Sequence, residues 1–264
     1  MKVLLFLLLL VLGMGVKDNL LTPEKNIESI SYEEKEFILT ENQKEILREA
    51  ELPENYEELT TSQKSAIEAM GGMIDYIEEK YGEEFSYLGY VDGAGFEQRH
   101  MTVHPKDGSV YDVVTIYEYY EDGEYRYEDD YGCLLYEPYY REVIEEYASQ
   151  YFDMEYCKVY VDLEETYEGI NEENVLSMSV ANIEIFVSNE KYYSEEMKTF
   201  VNEYGQWLSK YSEETYSLTQ VYLFKQDVFA EINSGNYMQK GLEGENIVDE
   251  ITCHISGKDY INIF

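Results

Sequence analysis

The sequence predicts an α+β fold in which antiparallel sheets, built as meanders and hairpins, are packed by amphipathic helices and arranged as two lobes. Three observations lead there. Two Thr-x-x-Gln boxes, at Thr40/Gln43 and Thr60/Gln63, open helices. An Asp-Gly dipeptide separates two alternating aromatic runs, the pattern of a tight hairpin. A second helix-then-strand series follows in the C-terminal half. The expected division is a leader at 1–15, a polar tether at 16–38 and lobes at 39–150 and 151–264, meeting near 135–155.

The helix capped by Thr40 starts near Glu41 and ends before Leu52-Pro53. The next one carries Ile67, Met70, Met73, Ile74, Ile77 and Tyr81 at helical spacing. Gly71-Gly72 interrupt it at a cost of roughly 1 kcal/mol each, so they mark either a kink or a close approach by another element. Strands are expected at 86–91, at 100–104 and at 109–116, the last two flanking a turn at Pro105-Lys106-Asp107-Gly108. Asp122-Gly123 then specifies a two-residue type I′ turn, since both positions need positive φ. Its loop length pairs Glu121 with Glu124, Tyr120 with Tyr125 and Tyr119 with Arg126, and places Tyr119 and Arg126 on one face for a cation–π contact.

Pro138 fits the first turn of a helix bearing Tyr140, Val143, Ile144, Tyr147 and Tyr151. Strands at 157–163 and 175–187 follow. Ser194 opens a helix whose stripe includes Met197, Phe200, Val201, Tyr204, Trp207, Leu208 and Tyr211; Trp207, the single tryptophan, belongs to that core face. Strands near 216–224, 250–255 and 260–264 close the chain. Lys80-Tyr81-Gly82-Glu83-Glu84 is echoed by Lys210-Tyr211-Ser212-Glu213-Glu214, each ending a helix ahead of an aromatic strand; duplication and chance both account for so short a match.

The N-terminus gives an address. Lys2 precedes an apolar run from Val3 to Leu12, and Gly13 and Gly15 then lead into a polar segment. That order is a secretory signal peptide with cleavage after Gly15. As a helix, residues 3–16 reach about 21 Å, short of the roughly 30 Å of a bilayer core. The expected location is secreted or extracytoplasmic, with a signal-anchored membrane protein as the alternative, the uncleaved leader then being the membrane contact. The first cysteine is Cys133, so no lipid attachment site follows the leader, and no Arg-Arg pair or Asn-x-Ser/Thr triplet occurs.

Composition bounds the partners. Against 19 Lys and Arg stand 56 Asp and Glu, a formal net charge of −37. Such a field repels nucleic acid and anionic lipid and attracts a basic protein or divalent cations. The 29 tyrosines and 10 phenylalanines supply the apolar area that a disordered acidic chain lacks. Cys133, Cys157 and Cys253 form no CxxC; export permits one disulfide among three pairings, or none.

No catalytic, cofactor-binding or metal-ligating set emerges. His100 and His104 lack the helical glutamate of a zinc protease, and on a strand they lie about 13 Å apart, too far to share one zinc. Cys253 and His254 point to opposite strand faces. Asp92-Gly93-Ala94-Gly95 and Gly257-Lys258 are turns, not phosphate loops. Carboxylates around Asp122, Glu128, Asp129 and Asp130 leave room only for a loose calcium site. The expected function is therefore a non-enzymatic binding protein of the bacterial cell envelope or medium, with a basic protein as partner. Its contact surface is the hairpin at 116–129, through Tyr117, Tyr119, Tyr125, Arg126 and Tyr127. The alternatives are a hydrolase of envelope polymers acting through a carboxylate pair, and a calcium-stabilised surface protein.

The run LTENQKEILREAELPENYEELTTSQKSAIEAM, leading into YIEEKYGEEFSYLGYV, resembles exported or lipoprotein-like proteins of Gram-positive bacteria over residues 39–91. The resemblance implies export. It carries no activity or functional residue, and the lipid anchor usual in such proteins does not transfer, because its cysteine is missing here.

Overall fold

Both capping boxes form. In the computed structural model, which describes residues 37–93, 97–211, 216–258 and 260–264, helix α1 runs Glu41–Glu49 and helix α2 runs Thr61–Tyr81. Thr40 and Thr60 each accept from the backbone N–H of the glutamine three residues on, and each glutamine side chain accepts from the threonine N–H. Gly82, at φ 70°, ends α2 in the left-handed region. The leader, its cleavage point at Gly15 and most of the tether lie outside the described residues.

The fold is α+β, with two sheets. The first is a meander in the order β1-β2-β3-β4, comprising β1 Phe85–Val91, β2 His100–Pro105, β3 Val114–Glu121 and β4 Glu124–Asp129. Its inner face buries Phe85, Met101, Val103, Val114 and Ile116 against Ile67, Met73, Ile74 and Ile77 of α2. The close-approach reading of the glycine pair is the one realised: α2 continues unbroken, a Cβ on Gly71 would meet Gln43, and one on Gly72 would meet the Tyr127 hydroxyl.

The second sheet has the order β5-β6-β7-β8-β9: β5 Cys157–Thr166, β6 Ser179–Ser188, β7 Tyr216–Phe224, β8 Ile247–Ser256 and β9 Ile261–Ile263. Its pairing is antiparallel except between β6 and β7, which run parallel because helix α4, Ser194–Leu208, returns the chain to the same end. Helices α3, Tyr131–Ala148, and α4 cover one face, packing Tyr140, Ile144, Phe200, Tyr204 and Leu208 onto Val159, Ile183, Ile185, Val221 and Cys253. The opposite face is covered by residues 226–246, which include two short helices, α5 Gln226–Phe229 and α6 Tyr237–Leu242. Each sheet has its own core, and α3 serves both: Tyr131 and Leu134 pack in the first, Tyr140 and Ile144 in the second. Leu39–Phe264 accordingly form one compact unit.

Three local expectations are corrected. Pro138 lies inside α3 rather than in its first turn. The helix starts early because Tyr131 is drawn into the first core, edge-on to Tyr81 and Phe85, with its hydroxyl donating to Glu83 at 2.7 Å. β3 begins at Val114, not Ser109, since a second turn intervenes: Ser109 N–H donates to Asp112 Oδ2 at 2.8 Å and Asp112 N–H to the Ser109 carbonyl. Residues 175–177 form a 3-10 turn, so β6 begins at Ser179. The helices α5 and α6 and their packing on the sheet were not anticipated, because neither is long enough to show a period.

Candidate interaction surfaces

The hairpin joining β3 and β4 takes the register dictated by its turn. Asp122 and Gly123 sit at φ 54° and 92°, and the pairs Glu121–Glu124, Tyr120–Tyr125, Tyr119–Arg126 and Glu118–Tyr127 follow. Strand alternation then sorts the side chains onto two faces. Tyr117, Tyr119 and Arg126 share the outer face with Glu121, Glu124 and Glu128. Tyr125 and Tyr127 lie on the other face, with Tyr120 and Glu118. The hairpin therefore does not bring the five singled-out residues together: three are on one side and two on the other.

Their environments differ as well. Tyr127 is half-buried over Gly72 and 5.4 Å from the Tyr76 ring, so it belongs to the helix–sheet junction. Tyr120 and Tyr125 are 66% and 60% exposed and meet edge-on at 5.2 Å at the tip. On the outer face the Tyr117 ring stands 5.7 Å from His100. Arg126 shares a face with Tyr119 as expected, but its Nε lies 3.4 Å from Glu121, relieving the like charge of the Glu121–Glu124 pair. β4 is also an edge strand. In a hairpin closed by a two-residue turn, the N–H groups of Tyr125 and Tyr127 point away from β3, toward the open edge.

The base of the hairpin is clamped. The Asp129 side chain has no exposed area; Oδ2 accepts from Tyr76 Oη at 2.8 Å and Lys80 Nζ at 2.6 Å, and Oδ1 from Tyr81 Oη at 2.9 Å and the Tyr131 N–H at 3.1 Å. Burial and the neighbouring carboxylate raise the pKa of Tyr76 and Tyr81 well above the phenol range, which keeps both as donors. On the same inner face, Glu118 is paired with Arg99 at 2.7 Å, and Arg99 also reaches Asp92 at 3.1 Å. Asp130 turns elsewhere, to the Thr115 N–H at 2.7 Å. The carboxylates named for a loose calcium site thus diverge, and among the described residues no three His, Cys, Asp or Glu side chains are placed to hold a metal ion. Cys133, Cys157 and Cys253 are free thiols, with burial raising each above the usual thiol range.

Sequence reasoning passed over a second surface, under α6. There Glu184 of β6 lies among Tyr160, Tyr222 and Tyr237, and burial raises its pKa to about 7. Glu137 and Asp162, near the same tyrosines, are also raised by burial. The alternation Asn182-Ile183-Glu184-Ile185 does place Glu184 opposite the core face. What it lacks is any sign that this face is covered. A cleft between α1, α2 and β1, lined by Asn42, Glu45, Ile46, Ile74 and Tyr87, has a volume of about 40 Å³, the scale of one or two waters.

Comparison of the chain with protein-family models, with curated proteins and with solved structures finds no match.

Proposed function

We propose that this chain is an exported, non-enzymatic binding protein of the bacterial envelope or medium, and that the β3–β4 hairpin engages a basic partner. The observation that carries the reading is the exposed Tyr120–Tyr125 pair at the tip of a hairpin whose base is clamped through Asp129. Tyrosine rings offer broad amphipathic contact with few rotamers to freeze. A rigid base lowers the ordering cost of association further. Glu121, Asp122 and Glu124 surround the tip, and Arg126 is the single cation of the hairpin strands, so complementary charge selects a basic surface or segment. Export rests on the leader at 1–15, and the acidic composition is what such a binding role uses.

The test separates the two faces. Protein with Tyr120→Ala/Tyr125→Ala and protein with Tyr117→Ala/Tyr119→Ala are compared with the wild type for recovery of a basic protein from envelope fractions. The tip pair is expected to abolish recovery and the outer pair to weaken it. Recovery unchanged by both double variants overturns the hairpin as the contact surface.

A further inference from the structure

One carboxylate in the second sheet sits where nothing offsets its charge. Gly241 of α6 passes over Glu184: a Cβ built on Gly241 would lie 3.2 Å from Glu184 Oε2 and 3.3 Å from the Tyr222 hydroxyl. Oε2 is sealed from solvent and has no hydrogen-bond partner. Each element packed around it brings groups that are uncharged, acidic or already engaged. From β5 come Tyr160 and Asp162, and Lys158, whose Nζ donates to the carbonyls of Phe229 and Ile232 at 2.9 and 2.7 Å. From α6 come Tyr237, stacked on Tyr160 at 4.4 Å, and Lys240, held by Glu243 at 3.1 Å and Glu231 at 3.6 Å. From β7 and β8 come Tyr222 and Gln220, the latter donating to Glu250 at 3.4 Å. From α3, Glu137 reaches the same corner and engages Arg141 at 3.5 Å.

We propose that Glu184 is a pH-sensitive latch for α6: when neutral it lets the helix lie closed on the sheet, and when ionised it lifts the helix and bares the aromatic floor of Tyr160, Phe186 and Tyr222. The reason is solvation. An ionised carboxylate without a partner needs water, and Oε2, sealed beneath Gly241 and beside Tyr222, gains it when α6 moves away. The root of the segment stays in place, because Phe229 and Ile232 are buried and their carbonyls are tied to Lys158. The turn from Asn233 to Asn236, closed by its own side-chain bonds, is the pivot.

The sign follows from linkage. In the closed state the carboxyl titrates at about 7, against an ordinary 4.5 once hydrated. The closed state therefore holds the proton more tightly. Closure is fully favoured below the ordinary value, weakens as pH rises toward 7 and is weakest above it. Glu184 is partly exposed, so the effect is taken well below the full shift, at about tenfold in the opening equilibrium.

Hydrogen exchange of the amides of Tyr237, Lys240 and Glu243, which donate within this segment, tests the latch. Comparing the wild type with Glu184→Gln at the same pH cancels the intrinsic pH dependence of exchange. Nearly equal rates are expected at about pH 4, below the ordinary value, with the wild type about tenfold faster at about pH 8. Equal rates at both pH values overturn the proposal. Carboxyl-carbon NMR titration of the unaltered chain gives an independent reading: a Glu184 midpoint near 7 supports the latch, and one near 4.5 overturns it.

Discussion

Lys80 of α2 and Asp129 of β4 meet at 2.6 Å, joining the last turn of a helix to the last residue of a hairpin 49 positions further along the chain. The lysine side chain remains partly exposed while the carboxylate is fully buried, and two tyrosine hydroxyls and the Tyr131 N–H complete the carboxylate's shell. This contact fixes the hairpin against the helix.

Asp129→Ala removes the acceptor for four donors and strands Lys80 and two half-buried hydroxyls. A loss of about 3 kcal/mol in urea unfolding is expected. Lys80→Met leaves the tyrosines in place and, with a partly exposed partner removed, costs about 1 kcal/mol. Equal losses for the two variants would show that the tyrosines contribute nothing.

Glycine in a helix interior ordinarily gains about 1 kcal/mol on becoming alanine. At Gly71 the opposite sign is expected. The new Cβ collides with Gln43, a buried side chain whose Nε2 donates to the Ile67 carbonyl at 2.9 Å and whose Oε1 completes the first capping box. Gly71→Ala should lower stability by about 1–3 kcal/mol. At Gly72 the obstacle is the far end of Tyr127, so Gly72→Ala/Tyr127→Phe should recover the gain that Gly72→Ala alone forfeits. Thermal melts of the variants decide both; a Gly71→Ala protein more stable than the wild type refutes the packing argument.

Gly123 holds φ 92°, a region costly to side chains. Gly123→Ala should cost about 1 kcal/mol or more and speed hydrogen exchange in β3 and β4 while leaving β5 to β9 unchanged. Uniform change across both sheets would contradict the separate cores seen here.

Trp207 stacks on Tyr147 at 4.1 Å and 18°, linking α4 to α3. As the single tryptophan, it reports on that junction alone. Tyr147→Ala should shift Trp207 emission to the red and lower stability by about 2–3 kcal/mol. Unshifted emission would mean that Trp207 is shielded by Tyr204 and Tyr211, its other aromatic neighbours, without Tyr147.

Much of the fold was legible in short segments. The two capping boxes, the type I′ turn and the α4 stripe from Met197 to Leu208 are local: each is decided by residues within one turn of helix or across one hairpin, where spacing and φ preference dominate. Tyr211, expected on that stripe, lies past the helix end and is exposed. The faces of the hairpin were legible too, since the register assigns Tyr119 and Arg126 to one side and Tyr125 to the other. What register could not give was the environment. Tyr125 and Tyr127 share a face, yet one stands in solvent and the other packs on Gly72, because α2 reaches only the base of the hairpin. Pro138 shows the same limit: its helix begins at Tyr131, where a ring is pulled into a core that no local rule describes.

By itself the sequence determined the α+β class, the starts of α1, α2 and α4, the hairpin and its register, and a formal net charge of −37. These follow from periodicity, capping and net charge, which act over a few residues or over the whole chain. Tertiary structure decided which carboxylates are clamped and which are stranded. Asp129 and Glu184 are both strand carboxylates with tyrosine neighbours, but one meets Lys80 and two hydroxyls from α2 while the other meets the backbone of α6. The difference lies in which distant element covers each face, and desolvation depends on what covers a group rather than on its neighbours in the chain.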